Sequence, residues 1–298
     1  MFEHVNLSNS RLRRILRVLV LLLGAFSSVH ADDANKSPDV RFIYLAKWVN
    51  YLQQSPNNIV LLDYGYGAQI FAVEDGRVKK AVLSGPLPGG IERVLEDDGD
   101  KYPGQNLRFT SKSIPSLQAL SGVFPDGRYS LTLQTQTGNY KDHILKLSGS
   151  EAGLAKAADL KLMQCGQGAA PANLNHGEDL VINWSLFDIA ANDPGDIMDD
   201  LIVVKLLDSK GSVLKRSPLP FFSKVPAIRH DALSHVLSAD LFAAETAYAI
   251  EVEHINVVDS HIRAGMPEVA AYVTNTKLLI HTNTKPGESS CEKSVSTM

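Results

Sequence analysis

The chain has 298 residues, of which 44% are hydrophobic and 21% are charged, and its formal net charge at pH 7 is −4. This length predicts one large domain or two domains of ordinary size. A mildly acidic chain without a concentrated basic patch is a poor candidate for binding nucleic acid, so we expect no nucleic-acid partner.

Residues 1–31 have the pattern of a cleaved signal peptide. Four arginines between positions 11 and 17 precede the apolar run VLVLLLGAF, and the small residues Val29 and Ala31 stand before the expected cleavage point. The apolar run is shorter than the roughly 20 residues that span a bilayer, which disfavours the alternative of an uncleaved anchor. The sequence therefore predicts an exported protein, periplasmic or extracellular, whose mature chain begins at Asp32 and has no membrane span.

From residue 40 onward, apolar and polar residues alternate with a period of two, which is typical of β-strands. The segment AQIFAVEDGRVKKAVLSGP predicts two strands joined by a turn at Asp75-Gly76, and GRYSLTLQT predicts a strand after a Pro-Asp-Gly turn. In the second half, LIVVKLLDSKGSVLKRS predicts a hairpin, and DLVINWSLF and YVTNTKLLIHT predict further strands. Helical patterns are confined to the short segments PSLQALSGVF, EAGLAKAADL and RHDALSHVLSADLF. The fold class is therefore predicted to be all-β.

The two halves of the mature chain repeat the same order of elements. VEDGRVKKAVLSG and LLDSKGSVLKRSP share an Asp/Gly turn and a basic strand. Later in each half, FPDGRYSLTLQT and AAETAYAIEVEH share a turn that leads into a strand beginning with tyrosine. The repetition predicts two tandem β-sandwich domains of ordinary size. We place them at residues 38–149 and 160–283, with a small and polar linker at 150–159 and a tail at 284–298.

Residues 160–283 resemble a fibronectin type III or immunoglobulin-like domain. The matching features are Trp184 in LVINWSL, the following hairpin, and Tyr248 after Leu241. The resemblance implies that Trp184 packs between two sheets and that the Tyr248 hydroxyl bonds to backbone just upstream. Tyr129 begins the corresponding strand of the first half. The long 214–240 connection departs from the family pattern. More loosely, FPDGRYSLTLQT and the final AYVTNTKLLIHT make the mature chain similar to exported bacterial proteins of unassigned function with paired β-sandwiches.

Two features of the sequence suggest a disulfide and a calcium-binding loop. Cys165 and Cys291 are the only cysteines, and an exported chain with an even count favours one disulfide over two free thiols. The loop NDPGDIMDDL collects Asp193, Asp196, Asp199 and Asp200, whose carboxylates are the ligands that calcium prefers. Their spacing is not that of a complete calcium-binding motif, and an ordinary turn is the alternative. Otherwise we expect no cofactor.

The stretch ETAYAIEVEHINVVDSH contains Glu251, Glu253, His254, Asp259, Ser260 and His261. If Tyr248 begins a strand, His254 lies on its inner face and both glutamates, with Ile255, point outward. We therefore expect His254 to be a hydrogen-bonded core histidine and not a metal ligand. Neighbouring residues of a strand point in opposite directions, so Asp259, Ser260 and His261 cannot form a catalytic triad.

Two other motifs are ambiguous. The glycines of DYGYGAQ do not complete a phosphate-binding loop, and we predict a turn or bulge there. The run FIYLAKWVNYLQQ contains Phe42, Tyr44, Trp48 and Tyr51. Exposed, such a set would suit stacking on sugars; burial in the first strand is the favoured alternative.

These observations favour an exported, non-catalytic binding or interaction protein with an unknown protein or glycan partner. The loops 193–200 and 222–240 are the expected recognition surfaces. One alternative is a carbohydrate-active or metal-dependent hydrolase with a site between the domains, which would need converging carboxylates or a cluster of His230, His235, His254 and His261. Another is a structural envelope or matrix component, which an exposed apolar patch would support.

Overall fold

The computed structural model describes residues 36–99, 105–190 and 197–283. The predicted signal peptide, 1–31, and the predicted tail, 284–298, lie outside these ranges. Export therefore stays a prediction from the sequence.

The described residues form sixteen β-strands and two short α-helices. The strands of the first half are β1 (Val40–Ser55), β2 (Asn58–Ala72), β3 (Val78–Ser84), β4 (Arg93–Asp97), β5 (Asn106–Thr110), β6 (Gly127–Thr135) and β7 (Asn139–Leu147). Those of the second half are β8 (Lys161–Gln164), β9 (Gln167–Gly168), β10 (Leu180–Asn183), β11 (Leu201–Asp208), β12 (Val213–Arg216), β13 (Ile228–Arg229), β14 (Ser234–Leu237), β15 (Ala247–Arg263) and β16 (Met266–His281). The helices are α1 (Leu117–Val123) and α2 (Ser150–Gly153). The all-β prediction is confirmed.

One of the three predicted helical segments is helical only near its end. RHDALSHVLSADLF contains β14 and a 3-10 turn at Ala239–Leu241. His235 and Val236 pair with Ile182 and Val181 of β10, so this segment adds a strand to a sheet. Its spacing of apolar residues fits a short strand and turn as well as it fits a helix, which is the usual ambiguity of brief apolar patterns.

The strands form two sheets. The larger has the order β12-β11-β15-β16-β1-β2-β5-β4-β3-β6-β7, with β13 also paired to β11, and the smaller has the order β14-β10-β8-β9. At the centre of the larger sheet, β1 pairs antiparallel with β2 and parallel with β16. The parallel register runs from Ile43 opposite Glu268 to Gln53 opposite Leu278. Strands of both halves therefore share one sheet, a connection that the expectation of two tandem sandwiches did not include.

The two sheets nevertheless enclose two separate cores. In the second half the small sheet packs against β11, β15 and β16, and the core between them contains Trp184 and Tyr248. In the first half the large sheet curls on itself, so that the Lys146 amide of β7 donates to Asp259 Oδ2 of β15 at 2.7 Å. The core enclosed by this curl contains Tyr66 and Tyr129. The second core thus lies in a sandwich of two sheets, whereas the first lies inside a single curled sheet to which β16 of the second half also contributes Tyr272.

The tyrosines and the tryptophan that the sequence singled out each bind backbone. The Tyr129 hydroxyl donates to the Pro125 carbonyl at 2.6 Å, and the Ala243 amide donates to the Tyr248 hydroxyl at 2.8 Å. The Trp184 indole N–H donates to the Ala232 carbonyl at 2.8 Å. Each aromatic body is buried while its polar atom is satisfied, which is the usual arrangement for tyrosine and tryptophan in a core.

The segment 150–159, expected to be a polar linker, packs against β16. The Thr274 hydroxyl donates to the Ala155 carbonyl at 3.0 Å, and the Ala158 amide donates to Thr276 Oγ1 at 2.9 Å. A Cβ on Gly153 would lie 2.2 Å from the Tyr272 ring. The small residues that resembled a linker thus permit a close approach to β16. The domain boundaries predicted from the sequence stay a prediction.

The shared sheet leads us to expect that the two halves unfold together. In a Trp48→Phe variant, Trp184 in the second core is the only remaining tryptophan. Urea unfolding followed by Trp184 fluorescence and by far-UV circular dichroism should give coincident transitions, because loss of either half removes a neighbour of the β1–β16 pair. Circular dichroism that keeps changing after the fluorescence transition is complete would show that the halves unfold independently.

Candidate functional site

The outer face of the large sheet carries a pocket of about 570 Å³. Its floor consists of alternate residues of five neighbouring strands, β11, β15, β16, β1 and β2. On these strands the inward-facing residues enter the two enclosed cores, and the outward-facing ones form a third apolar cluster with Phe42, Val203 and Val273. We call this cavity the sheet-face pocket.

Phenylalanine rings form one end of the sheet-face pocket. Phe42 of β1 and Phe71 of β2 have ring centroids 5.9 Å apart, and Phe222 meets the Phe71 ring edge-on at 4.9 Å. Phe222 belongs to the segment 217–222, which follows β12 and crosses the outside of the sheet. Ser217 anchors this segment, because its amide donates to the Val204 carbonyl at 2.9 Å and its hydroxyl accepts from the Val204 amide at 3.0 Å.

The Trp48 indole lies flat on the backbone of β2 beside these rings. Trp48 stands opposite Gly65 in the ladder, and a Cβ on Gly65 would lie 2.3 Å from the indole. A Cβ on Gly67 would lie 3.1 Å from the same ring. Both glycines are in regular pairs inside β2, so the expectation of a turn or bulge at these glycines is wrong; the register shift of β2 lies at Leu62, directly before DYGYGAQ. Their missing side chains leave the space that the indole fills.

A row of hydrogen-bonded amides crosses the floor next to Trp48. Asn275 of β16 donates its amide to Asn50 Oδ1 at 2.8 Å, and Asn50 donates its amide to Asp63 Oδ1 at 2.6 Å. The Ser113 hydroxyl donates to the other Asp63 oxygen at 2.7 Å. The buried Asn275 Oδ1 has no hydrogen-bond partner among the described residues. The row therefore ends in an acceptor without a donor.

Charged side chains form the other end of the pocket. The Lys205 ammonium of β11, whose side chain is 15% exposed, bonds to Glu251 at 2.9 Å and also to Glu253. Lys277 of β16 lies 3.6 Å from the second Glu251 oxygen. Burial alone would raise the pKa of Glu251, but Lys205 and Lys277 outweigh it and hold the pKa below its usual value. Burial and the charge of Glu253 together raise the pKa of Tyr44 on the neighbouring part of the floor.

This arrangement suits binding better than acid–base chemistry. A general acid near neutral pH needs a carboxyl group whose pKa is raised, whereas the pKa of Glu251 is lowered. Both glutamates also bind one lysine, so neither faces the pocket as an unshared carboxylate. Across the residues that the structure describes, no three His, Cys, Asp or Glu side chains form a group that could hold a metal ion.

The four histidines considered for a hydrolase do not converge. His254 is buried in the second core and stacks on Phe187 at 4.7 Å, while His261 lies 3.1 Å from the buried Glu268 at the end of the hairpin β15–β16. His230 and His235 lie before and in β14. The inner-face position of His254 agrees with the sequence, but neither ring nitrogen has a partner among the described residues, so the expected hydrogen bond is wrong.

The acidic loop is only partly described. Asp193 and Asp196 lie outside the described residues, Asp199 is exposed, and the buried Asp200 accepts the Val257 amide at 2.7 Å. That bond satisfies backbone at a β-bulge of β15. Calcium binding at this loop stays a prediction.

The pairing of the two cysteines also stays a prediction. Cys165 lies in the turn after β8, where its φ is 50°. Cys291 belongs to the tail 284–298, outside the described residues. A disulfide between them would attach this tail to the β8–β9 turn, at a distance along the chain from the sheet-face pocket.

Comparison with known proteins gives little further information. No protein-family model matches the sequence, and no curated protein matches it. Among solved structures, "Biofilm associated protein - BSP domain" is 14% identical with a TM-score of 0.23, covering 85% of this chain and 31% of that chain. The chicken CNTN1 FN1-FN3 domains are 8% identical with a TM-score of 0.19, covering 76% of this chain and 66% of that chain. The chain thus spans about a third of the first structure and about two thirds of the second, and likenesses this weak carry no inference about function.

Within residues 36–99, 105–190 and 197–283, no helix is both long and apolar enough to cross a membrane.

The sequence identified part of the pocket. Of the aromatic run, Phe42 is buried as expected, but Tyr44, Trp48 and Tyr51 are half-buried and line the pocket. Of the expected recognition loops, 193–200 contributes Met198 and 222–240 contributes Phe222. The amide row was missed, because its members are adjacent only through strand pairing.

The packing of the Trp48 indole on Gly65 can be tested directly by substitution. Gly65→Ala should displace the indole and destabilise the protein by about 1–3 kcal/mol, because the added Cβ overlaps the ring. Urea unfolding gives the stability, and near-UV circular dichroism reports the indole environment. Gly168→Ala in β9 is the matched control, since a Cβ there meets nothing within 4 Å. Equal effects of the two substitutions would contradict this packing.

His254 should make stability depend on pH. Burial, opposed in part by Asp188, lowers the pKa of His254 from 6.5 to about 4. A folded-state pKa below the unfolded value stabilises the fold above pH 6.5, and this contribution is lost as the pH falls from 6.5 towards 4. A shift of this size corresponds to roughly 3 kcal/mol.

Urea unfolding at pH 7 and pH 5 measures the part of this loss that falls between those two values, about 2 kcal/mol. His254→Phe keeps a ring against Phe187 without a titrating group, so the variant should lose less stability than the wild type on acidification. His281→Gln, at an exposed position, should behave as the wild type does. An unchanged pH dependence in His254→Phe would show that other groups cause the loss.

Proposed function

We propose that this chain is an exported, non-catalytic binding protein and that the sheet-face pocket binds a small organic ligand. The observation that carries the proposal is one cavity of about 570 Å³ lined by aromatic rings and by polar groups held in fixed positions. Small-molecule sites have volumes of roughly 300–1,000 Å³ and combine a mainly apolar lining with a few placed polar groups.

The floor of the pocket supports this proposal because it belongs to paired strands. Trp48 is held by Gly65 and Gly67, and Asn50 is held between Asp63 and Asn275. Side chains fixed in this way lose little conformational entropy when a ligand arrives, which favours affinity.

The exposed apolar residues near the pocket fit the same function. Val60, Leu61 and Leu62 follow one another on β2, and Leu62, 52% exposed, lines the pocket. An apolar rim beside a cavity is typical of a ligand entrance. Of these exposed residues, whose type would also suit a structural envelope component, Leu62 contributes to the proposed site.

Export, the Cys165–Cys291 disulfide and calcium at the 193–200 loop remain part of the proposal from the sequence. The binding proposal does not depend on the disulfide or on calcium, because its floor is built from the paired strands β11, β15, β16, β1 and β2. It can therefore be tested on the mature chain without assuming either of them.

A thermal-shift screen tests the proposed site. Small neutral and charged organic compounds are added to the wild type, to Trp48→Ala and to Phe222→Ala, which alter different parts of the pocket. A ligand at 100 times its Kd stabilises the folded protein by about 2.7 kcal/mol, so binding compounds should raise the wild-type Tm. The shift should disappear or shrink in both variants.

Leu279→Ala is the control, because Leu279 lies on β16, is 60% exposed and is outside the lining of the pocket. It should keep the wild-type shift. Compounds that protect Trp48→Ala and Phe222→Ala as well as they protect the wild type would place binding elsewhere. A screen without any pocket-dependent shift would overturn the proposal.

A further inference from the structure

We infer that the ligand of the sheet-face pocket is a neutral saccharide whose ring stacks on Trp48 and whose hydroxyl donates to Asn275 Oδ1. This inference rests on the proposed function and deepens it. Three independent features of the pocket lead to it: the indole platform, the direction of the amide row, and the balance of charges.

The indole platform favours a flat ligand with polarised C–H groups. One face of Trp48 is covered by the glycine backbone of β2, and the residue lines the pocket while remaining half-buried. The face of an aromatic ring carries partial negative charge, so it attracts the partly positive C–H groups on the apolar side of a sugar ring.

The direction of the amide row fixes what the ligand must supply. Asp63 is an acceptor when ionised, so Asn50 must turn its N–H group towards Asp63 and its oxygen towards Asn275. Asn275 must then donate to Asn50, and its own oxygen is left without a partner among the described residues. A buried acceptor without a donor is unfavourable. Asn275 lines the pocket, so a small rotation of its side chain on ligand binding would expose Oδ1 to a ligand hydroxyl next to Trp48.

The charges favour a neutral ligand. Three cationic and three anionic side chains line the pocket: Lys205, Arg216, Lys277, Asp63, Glu251 and Glu253. Lys205 already bonds to both Glu251 and Glu253, and these three largely buried side chains form the ion group of the pocket. An anionic or cationic ligand would have to compete with the bonds inside this ion group. Breaking such a group leaves an uncompensated charge, whereas hydroxyl groups donate and accept without adding one.

The phenylalanine end indicates where an apolar substituent would lie. Phe42, Phe71 and Phe222 continue the floor beyond Trp48, away from the amide row. A saccharide that carries an aryl group or an acetamido methyl group can place it there. Phenyl glycosides of neutral hexoses and of N-acetylhexosamines are therefore suitable probes.

Isothermal titration with these glycosides, and with the same glycosides fully O-methylated, tests the inference. Methylation keeps the ring and its acceptors but removes every hydroxyl donor. We expect at least one free glycoside to bind the wild type, with its methylated form about tenfold weaker or more, because only the free form has a hydroxyl group to donate to Asn275 Oδ1. Trp48→Ala should weaken binding by a similar factor, and Leu279→Ala should leave it unchanged.

Asp63→Asn separates this hydrogen bond from a merely structural role. In this isosteric variant the side chain at position 63 can donate to Asn50, so the amide row can reverse and Asn275 can present its N–H group to the pocket. The ratio between the Kd of the methylated glycoside and the Kd of the free glycoside should then decrease. This ratio should stay unchanged in the control variant Asn139→Asp, which changes an exposed amide of β7.

The outcomes separate the inference from the proposed function. Glycosides that do not bind, while other compounds give shifts that depend on Trp48, would overturn the saccharide inference and leave the binding site in place. Tighter binding of uronates than of neutral glycosides would also overturn it. So would an Asp63→Asn variant that distinguishes the free glycoside from its methylated form as strongly as the wild type does. If no compound gives a shift that depends on Trp48, both the saccharide inference and the proposed function fail.

Discussion

The parallel pairing of β1 with β16 is the constraint on which the rest of the structure depends. Side chains of a strand alternate between its two faces, and a slip of one residue would exchange the faces. The observed register places Leu45 beside Ala270, and both side chains are part of the first core. The same register places Trp48 beside Val273, and Asn50 beside Asn275, on the outer face. Core and pocket are thus set by one alignment.

The pocket consequently belongs to neither half of the chain alone. Its platform comes from β1 and β2, its unpaired acceptor from β16, and its ion group from β11 and β15. A sequence pattern that repeats in each half indicates how each half folds locally. It carries no information about pairing between the halves, which explains why the expectation of tandem sandwiches missed both the shared sheet and the site.

Much of the fold could be predicted because strand periodicity is local. The alternation in GRYSLTLQT is sufficient to assign the buried positions Tyr129, Leu131 and Leu133. Alternation identifies the residues that share a face, but it does not show what covers that face. Ile255 was expected to point outward, and it does so into the third apolar cluster, where it is buried. The glycines of DYGYGAQ are likewise explained only by Trp48, a partner on another strand.

The amide row and the ion group also decide the character of the outer face. Burying Lys205 with two glutamates gives little net stability, since desolvation offsets much of the attraction between the charges. Apolar residues at those positions would extend the third cluster across the sheet and leave no hydrogen-bonding end. The polar rows instead divide the face into an apolar end at Phe42 and a polar end at Lys205, with Trp48 between them. Local departures from good core packing are expected at functional sites, and this one creates an amphipathic cavity.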